Sequence, residues 1–263
     1  MTVASENRPA QTAVAGRTAL VTGGGSGLGA AIACALAAYG AQVVVTGRDP
    51  AALDAVTTRH PLIRRTTTCD VSDPLQVTRL GAELADTEVS ILINNAGVAG
   101  PVADLVDVAV DDWDEVFAVN VRGTYLVCRE FLPGMIARAH GDVINLASVS
   151  GKRPLTGRTP YCASKMAVIG LTSTLATEVG PYGVRVNSLS PGPVDGPRMH
   201  RNFSREAERT GMSYAEAQAN FVSRAALGRM VTEDEVAASV IAMLTMSGLC
   251  GADIDLSAGM VAR

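Results

Sequence analysis

Short apolar, β-branched runs recur along the chain at residues 18–22, 42–46, about 65–69, 89–93, 142–147, 184–189 and 252–256. Between them, at about 27–39, 73–85, 111–137, 160–179 and 232–246, apolar positions fall at helical spacing. The strand runs are nearly continuous in Val, Ile, Leu and Ala, as strands buried on both faces are. Strand–helix alternation supplies the helices that cover those faces. The pattern predicts an α/β fold: a doubly wound, mostly parallel sheet of about seven strands with helices on both faces.

One segment departs from the alternation. Residues 191–228 open with Pro191, Pro193 and Pro197 and continue as polar, helix-like sequence. From 193 to 228 the chain reads as an insertion over the sheet, a lid rather than a layer. Residues 1–15 lack the apolar stretch of a signal peptide and read as a disordered tail. Residues 16–263 read as a single domain, because no break in composition separates a second core.

At 263 residues and 48% hydrophobic the chain fills one large α/β domain. A net charge of −4 offers no basic face for nucleic acid or an anionic membrane. The apolar stretch from Ala30 to Val45 is broken by Tyr39, Gly40 and Gln42, and is too short to span a bilayer. Five dispersed cysteines without a CxxC pair point to a reducing, cytoplasmic setting and to neither a disulfide framework nor a zinc site. Of His60, His140 and His200, only the last lies near the lid, so no metal is expected.

The first strand runs into TGGGSGLG, residues 22–29, and then into a helix from about Gly27. The first N–H groups of such a helix have no internal partner, and its dipole is positive at that end. A pyrophosphate can lie there if no Cβ blocks it. Gly25-Ser26-Gly27-Leu28-Gly29-Ala30 fits the Ala form of the dinucleotide-binding pattern, in the strand–turn–helix context that the pattern requires.

Read as TGxxxGxG (Thr22, Gly23, Gly27, Gly29), the turn resembles that of the short-chain dehydrogenase/reductase family, single-domain type. The resemblance continues through Asp70-Val71, Asn94-Asn95-Ala96-Gly97, Asn120, Ser148, Tyr161-Cys162-Ala163-Ser164-Lys165 and Pro191-Gly192, over about residues 16–260. It implies an oxidoreductase that interconverts a secondary alcohol and a ketone or aldehyde by hydride transfer with a nicotinamide cofactor.

The residues support that chemistry independently. Tyr161 and Lys165 stand four apart on a predicted helix and share a face. An ammonium beside a phenol favours the phenolate, which tunes Tyr161 toward a general acid/base. Ser148 ends a strand at the carboxyl edge of the sheet, where its hydroxyl can donate to a substrate oxygen as charge builds there. The resemblance adds that Lys165 holds the nicotinamide ribose and that Asn120 holds a water of a proton relay. Alone, each of these residues reads equally as a cap, a core tyrosine or a solvated face; in register they read as a catalytic set.

Further cofactor contacts follow from the resemblance: Gly23, Gly25, Ser26, Gly27, Leu28 and Gly29 at the phosphates, and Asp70 and Val71 at the adenine. Asn94, Ala96 and Gly97 are expected at the ribose, with Tyr161, Lys165, Pro191, Gly192 and Val194 around the nicotinamide. Gly196 stands where the family often has a hydroxyl residue. The end of the second strand bears on NAD against NADP. The usual acidic place holds Gly47, followed by Arg48, whose guanidinium suits a 2′-phosphate, so NADP(H) is favoured. Asp49 keeps NAD(H) open.

Lys152, Arg153 and Arg158 in the loop 149–160, with the arginines of the lid, suggest either a cationic rim for an anionic substrate or a solvated surface. The partner is a small-molecule carbonyl or alcohol. A 3-oxoacyl thioester reductase is the alternative, and a non-catalytic nicotinamide sensor a further one that the intact catalytic set argues against. The resemblance also implies a homotetramer formed through the helices at 111–137 and 160–179, with the last strand adding a second contact.

Overall fold

The computed structural model describes residues 13–153 and 155–261. Seven strands form one all-parallel sheet: β1 (Thr18–Thr22), β2 (Gln42–Gly47), β3 (Ile63–Thr68), β4 (Val89–Asn94), β5 (Gly141–Leu146), β6 (Val184–Pro191) and β7 (Asp253–Leu256). Their order is β3-β2-β1-β4-β5-β6-β7, so the winding reverses between β1 and β4 and opens a crevice at their carboxyl ends.

The helices are α1 (Gly27–Ala38), α2 (Pro50–Thr57), α3 (Pro74–Glu83), α4 (Val110–Phe117), α5 (Thr124–Ala137), α6 (Thr159–Val179), α7 (Pro197–Thr210), α8 (Tyr214–Val222) and α9 (Glu233–Thr245). Neighbouring strand residues point to opposite faces, and each face has its own core. Ala19, Val21, Ile91 and Ile93 pack with Ile32 and Leu36 of α1 and Val240 of α9. Leu20, Leu92 and Val143 pack with Leu80 of α3, Val127 and Met135 of α5 and Val179 of α6. Each such Val, Ile, Leu or Met side chain, fully buried, contributes about 1.5–3 kcal/mol.

Three local features differ from expectation. The stretch 111–137 is helical throughout, as expected, but carries a wider π turn at Ala118–Gly123 between α4 and α5. Helix α2 was not anticipated; Asp49 starts it, its carboxylate accepting from Ala51 and Ala52 N–H at 3.0 and 3.3 Å, with Pro50 in the first turn. Packing against the body also extends upstream of residue 16. Val14 is fully buried in the α1 core, filling space beside the sheet, so the tail expected over 1–15 is packed by then. Residues 1–12 of that tail lie outside the described residues.

At the amino edge of the sheet, Asp142 of β5 is 5% exposed and accepts from Arg17 at 2.7 Å and from Arg185 at 2.6 Å. Arg17 also donates to Ala13 O, Ser90 O and Ser90 Oγ, and Arg185 to Leu244 O and Met246 O. One carboxylate thus ties β1, β4, β5, β6 and the end of α9. No helix among the described residues is long and apolar enough to cross a membrane.

The insertion 193–228 folds as the helical pair α7–α8, joined at Gly211 (φ +71°). Phe203 is its buried centre, edge-on to Tyr214 and Phe221 at 6.0 and 5.5 Å between ring centroids. Its base is clipped to the body by Asp195 N–H to Val231 O at 2.7 Å and Val231 N–H to Pro193 O at 3.1 Å.

Candidate active site

The glycine turn is shaped by close approaches as much as by special torsions. Gly23 and Gly27 take φ of +63° and +51°, where an L side chain is strained. At Gly29 a Cβ would stand 2.1 Å from Gly23 O, so no side chain fits. Gly25 lies against α2, its Cβ position 3.1 Å from Ala52 Cβ. Ser26 and Gly27 are exposed and Leu28 half-buried, at the start of α1. The first turn of α1 carries no acidic residue, and Ser26 makes no side-chain capping bond. This cradle fits a pyrophosphate: uncapped N–H groups, a positive helix end and no Cβ atoms in the way.

Asn95 holds the cradle in place. Its Nδ2 donates to Thr22 O at 2.9 Å and to Gly23 O at 3.1 Å. Thr22 Oγ1 in turn accepts from the N–H groups of Asn95 and Ala96 at 3.0 and 3.1 Å. The ends of β1 and β4 are thereby locked across the crevice.

Asn94, expected at the ribose, points instead into the interior. It donates to Asn145 Oδ1 at 2.9 Å and to Cys128 Sγ at 3.2 Å, and is 4% exposed. It shares the face of Leu92, which is turned toward α5. Burial pushes the Cys128 thiol up to about 12, so it stays protonated beside that amide.

Ala96 and Gly97 do lie at the crevice. A Cβ on Gly97 would be 3.1 Å from Asn120 Oδ1 and 3.6 Å from Lys165 Nζ, which places that glycine between two of the expected catalytic residues.

Asp70 is half-buried in a tight turn, with Oδ1 accepting from Ser72 N–H and Oγ at 2.9 and 2.7 Å. Val71 is buried against Gly123. Gly47 ends β2, where a Cβ would make only ordinary van der Waals contact, 3.7 Å from Leu53 Cδ2 and 4.0 Å from Gly23 Cα. Arg48 is exposed, and Asp49 is held at the start of α2 as described.

The catalytic candidates converge at the carboxyl ends of β4 and β5. Ser148 follows β5, is 7% exposed and accepts from Ser150 N–H at 3.1 Å. Lys165 is 6% exposed, donates to Leu146 O at 2.7 Å and lies 5.8 Å from the centre of the half-buried Tyr161 ring.

Asn120 sits in the π turn, where its amide pairs with Val98 N–H (2.8 Å) and Val98 O (3.0 Å) and donates to Ser164 Oγ at 3.0 Å. Its side chain therefore fixes the loop after β4. Gly192 N–H bonds Leu256 O at 2.8 Å, fixing the Pro191–Gly192 corner, and Val194 forms a bridge to Val231. Near Gly196 lies the carboxylate of Glu233, 3.4 Å from where a Cβ would be and 3.7 Å from the corresponding point of Gly27.

The cations of the loop 149–160 do not form a rim. The Lys152 side chain, 5% exposed, bridges Asp253 and Asp255 of β7, whose Asp253 also accepts from Ser188 and Ser190. Arg153 donates to Met260 O at 3.2 Å and Arg158 to Ala99 O at 2.9 Å. In the lid, Arg209 pairs with Glu206, and His200 stands between Asp195 (3.0 Å) and Tyr214 Oη (2.5 Å). The sequence signals missed were Asn95, one residue beyond the one chosen, and the partners of Lys152, a hundred residues away.

A dinucleotide cradle beside a Ser-Tyr-Lys group at the carboxyl edge of a doubly wound sheet defines a nicotinamide-dependent oxidoreductase. The short chain dehydrogenase family model matches residues 17–208. The 2-(S)-hydroxypropyl-CoM dehydrogenase 3 of Xanthobacter autotrophicus is 31% identical, over 92% of this chain and 95% of its own. Among solved structures, an actinorhodin polyketide ketoreductase with NADPH superposes with a TM-score of 0.87 at 29% identity, covering 93% of this chain and 97% of that one. An NAD+-bound xylitol dehydrogenase gives 0.87 at 27% identity, covering 94% and 99%. The chain belongs to the short-chain dehydrogenase/reductase family and is an NAD(P)-dependent oxidoreductase acting on CH–OH groups.

Proposed function

We propose that the protein interconverts a secondary alcohol and a ketone with Tyr161 as proton donor and acceptor, and that it prefers NADP(H). The observation that carries the reading is the convergence of Ser148, Tyr161 and Lys165 on the crevice that Gly97 and the glycine turn leave open. The bound nicotinamide supplies or accepts the hydride. Ser148 Oγ donates a hydrogen bond to the carbonyl oxygen. Tyr161 gives that oxygen its proton in reduction and takes it back in oxidation. Lys165, anchored on Leu146 O, keeps its charge beside the phenol and stabilises the phenolate left behind. Asn120 holds the loop after β4 against the site and anchors the path by which the proton is replaced.

For the cofactor, the carboxylate of Asp49 is occupied at the start of α2, whereas Arg48 is exposed at the end of β2. That leaves a cation, not an anion, for the 2′ position. A carboxylate placed at Gly47 has room and would repel a 2′-phosphate. Gly47→Asp is expected to weaken NADPH binding tenfold or more, about 1.4 kcal/mol, and to leave NADH the better ligand. Nicotinamide fluorescence titrations of both proteins check this.

Turnover is tested by nicotinamide absorbance with NADPH and a panel of small ketones, with acetoacetyl-CoA as the thioester arm. Oxidation of NADPH by ketones supports the proposal, activity confined to acetoacetyl-CoA makes the enzyme a 3-oxoacyl thioester reductase, and no oxidation with any member counts against it. We place the enzyme in the cytoplasm, its five cysteines all being free thiols. We further propose a homotetramer built through α5 and α6, where Tyr125 and Met166 are exposed at 47% and 46%. Sedimentation as a tetramer is expected; sedimentation as a monomer alone contradicts it.

A further inference from the structure

Arg158 lies outside the Ser-Tyr-Lys group, yet it touches both sides of the crevice. It is the residue immediately before α6, and its side chain makes no capping bond. Gly157, in the left-handed region at φ +72°, turns the chain there so that Arg158 faces back toward the site. The guanidinium donates to Ala99 O at 2.9 Å, and its carbon lies 5.4 Å from the centre of the Tyr161 ring. A cation within about 6 Å of an aromatic face is attracted to it. A second bond, Ala103 N–H to Gly157 O at 3.0 Å, latches the same corner to the same loop.

We infer that Arg158 is a positioning residue for Tyr161, clamping its ring to the loop after β4 and adding a second positive charge to that of Lys165. The clamp completes a continuous brace. Asn120 in the π turn holds Val98, the next residue in the chain offers its carbonyl to Arg158, and Arg158 covers Tyr161. Lys165 comes from one turn further along α6, 5.8 Å from the ring centre. Other segments bring further charged groups to this end of the sheet, Glu233 beside Gly27 and Gly196 among them. Lys152 is held by Asp253 and Asp255 of β7, and His200 of α7 by Asp195. Arg158 and Lys165 stand 5.4 and 5.8 Å from the ring centre, and both favour the phenolate. A planar, permanently charged group suits this place better than an ammonium, because it stacks on the ring while donating edgewise to a carbonyl.

The inference rests on Tyr161 being the proton-transfer group, and its test needs no substrate. Tyrosinate absorbance is followed against pH for the wild type, Arg158→Gln and Arg158→Lys. Each is read as a difference from the same protein carrying Tyr161→Phe, which removes the other four of the five tyrosines from the signal. Arg158→Gln is expected to raise the Tyr161 midpoint by about one pH unit, as loss of one nearby opposite charge does. Arg158→Lys, which keeps the charge and loses the stack, is expected to raise it by less than half as much.

A midpoint unmoved in Arg158→Gln overturns the inference, whatever happens to KM. Equal shifts in the two variants overturn it too, since charge would then not be the cause. Should Arg158→Gln fail to fold, Arg158→Met takes its place as the variant that removes the charge: an upward shift of about one pH unit supports the clamp, and none overturns it. A protein with an intact titration but no turnover on any carbonyl would fail the functional proposal and leave this one standing.

Discussion

Tyr161→Phe lowers turnover by about 10²–10⁴-fold and leaves NADPH affinity within about twofold. The substitution removes one oxygen and keeps the ring, so the packing under Arg158 and the seat of Lys165 on Leu146 O persist. What is lost is the proton. Without it, the alkoxide formed by hydride delivery has only the Ser148 hydroxyl and water to turn to, and a positioned acid is worth that range of rate. The binding cradle lies elsewhere, at the glycine turn and Asn95, and does not involve the phenol oxygen. Initial rates by nicotinamide absorbance, paired with a fluorescence titration, separate the two effects. Undiminished turnover would refute the assignment; a parallel collapse of binding would show that the variant had damaged the site at large.

The second large effect concerns stability. Asp142→Ala is expected to cost about 3 kcal/mol, near the lower end for a buried pair that loses one partner. Two guanidinium groups, Arg17 and Arg185, would be left facing each other at the amino edge of the sheet without the carboxylate between them. Both keep their carbonyl partners, and their side chains are 14% and 22% exposed, so water relieves part of the penalty. At roughly 2–4 °C per kcal/mol for a domain of this size, the midpoint of thermal unfolding falls by about 6–12 °C. Asp142→Asn, which keeps the shape and loses the charge, is expected to fall between. Because Asp142 is at the opposite edge from the crevice, kcat at low temperature should stay unchanged. A loss under about 1 kcal/mol in urea titration would mean that the cluster is ornamental to folding.

Much of the fold was readable because its inner strands are buried on both faces, and continuous Val/Ile/Leu runs such as Val43-Val44-Val45 have few other meanings. The placement of the proposed catalytic group was legible because Tyr161 and Lys165 are fixed by helical spacing and Ser148 by its position at a strand end. Where the reading failed, the determinants were finer than motif or period. Asn94 and Asn95 are the same residue type side by side; which one faces the cradle depends on strand parity, and Asn94 shares the face of Leu92.

The π turn at Ala118–Gly123 leaves no mark in the apolar pattern, since Val119 within it and Val116, Leu126 and Val127 on either side all remain buried. The role of Lys152 was not legible because its partners, Asp253 and Asp255, are brought beside it only when β7 docks on β6. The carboxylate of Asp49 was ambiguous in the sequence, although Asp-Pro at 49–50 is itself the signal of a helix start.

The most direct measurement is a fluorescence titration of the wild-type protein with NADPH and, separately, with NADH. The account predicts saturable binding of both, with NADPH tighter by tenfold or more, a gap of about 1.4 kcal/mol attributable to Arg48. Tighter NADH binding would contradict the role given to Arg48, and binding of neither would contradict the dinucleotide site on which every proposed step depends.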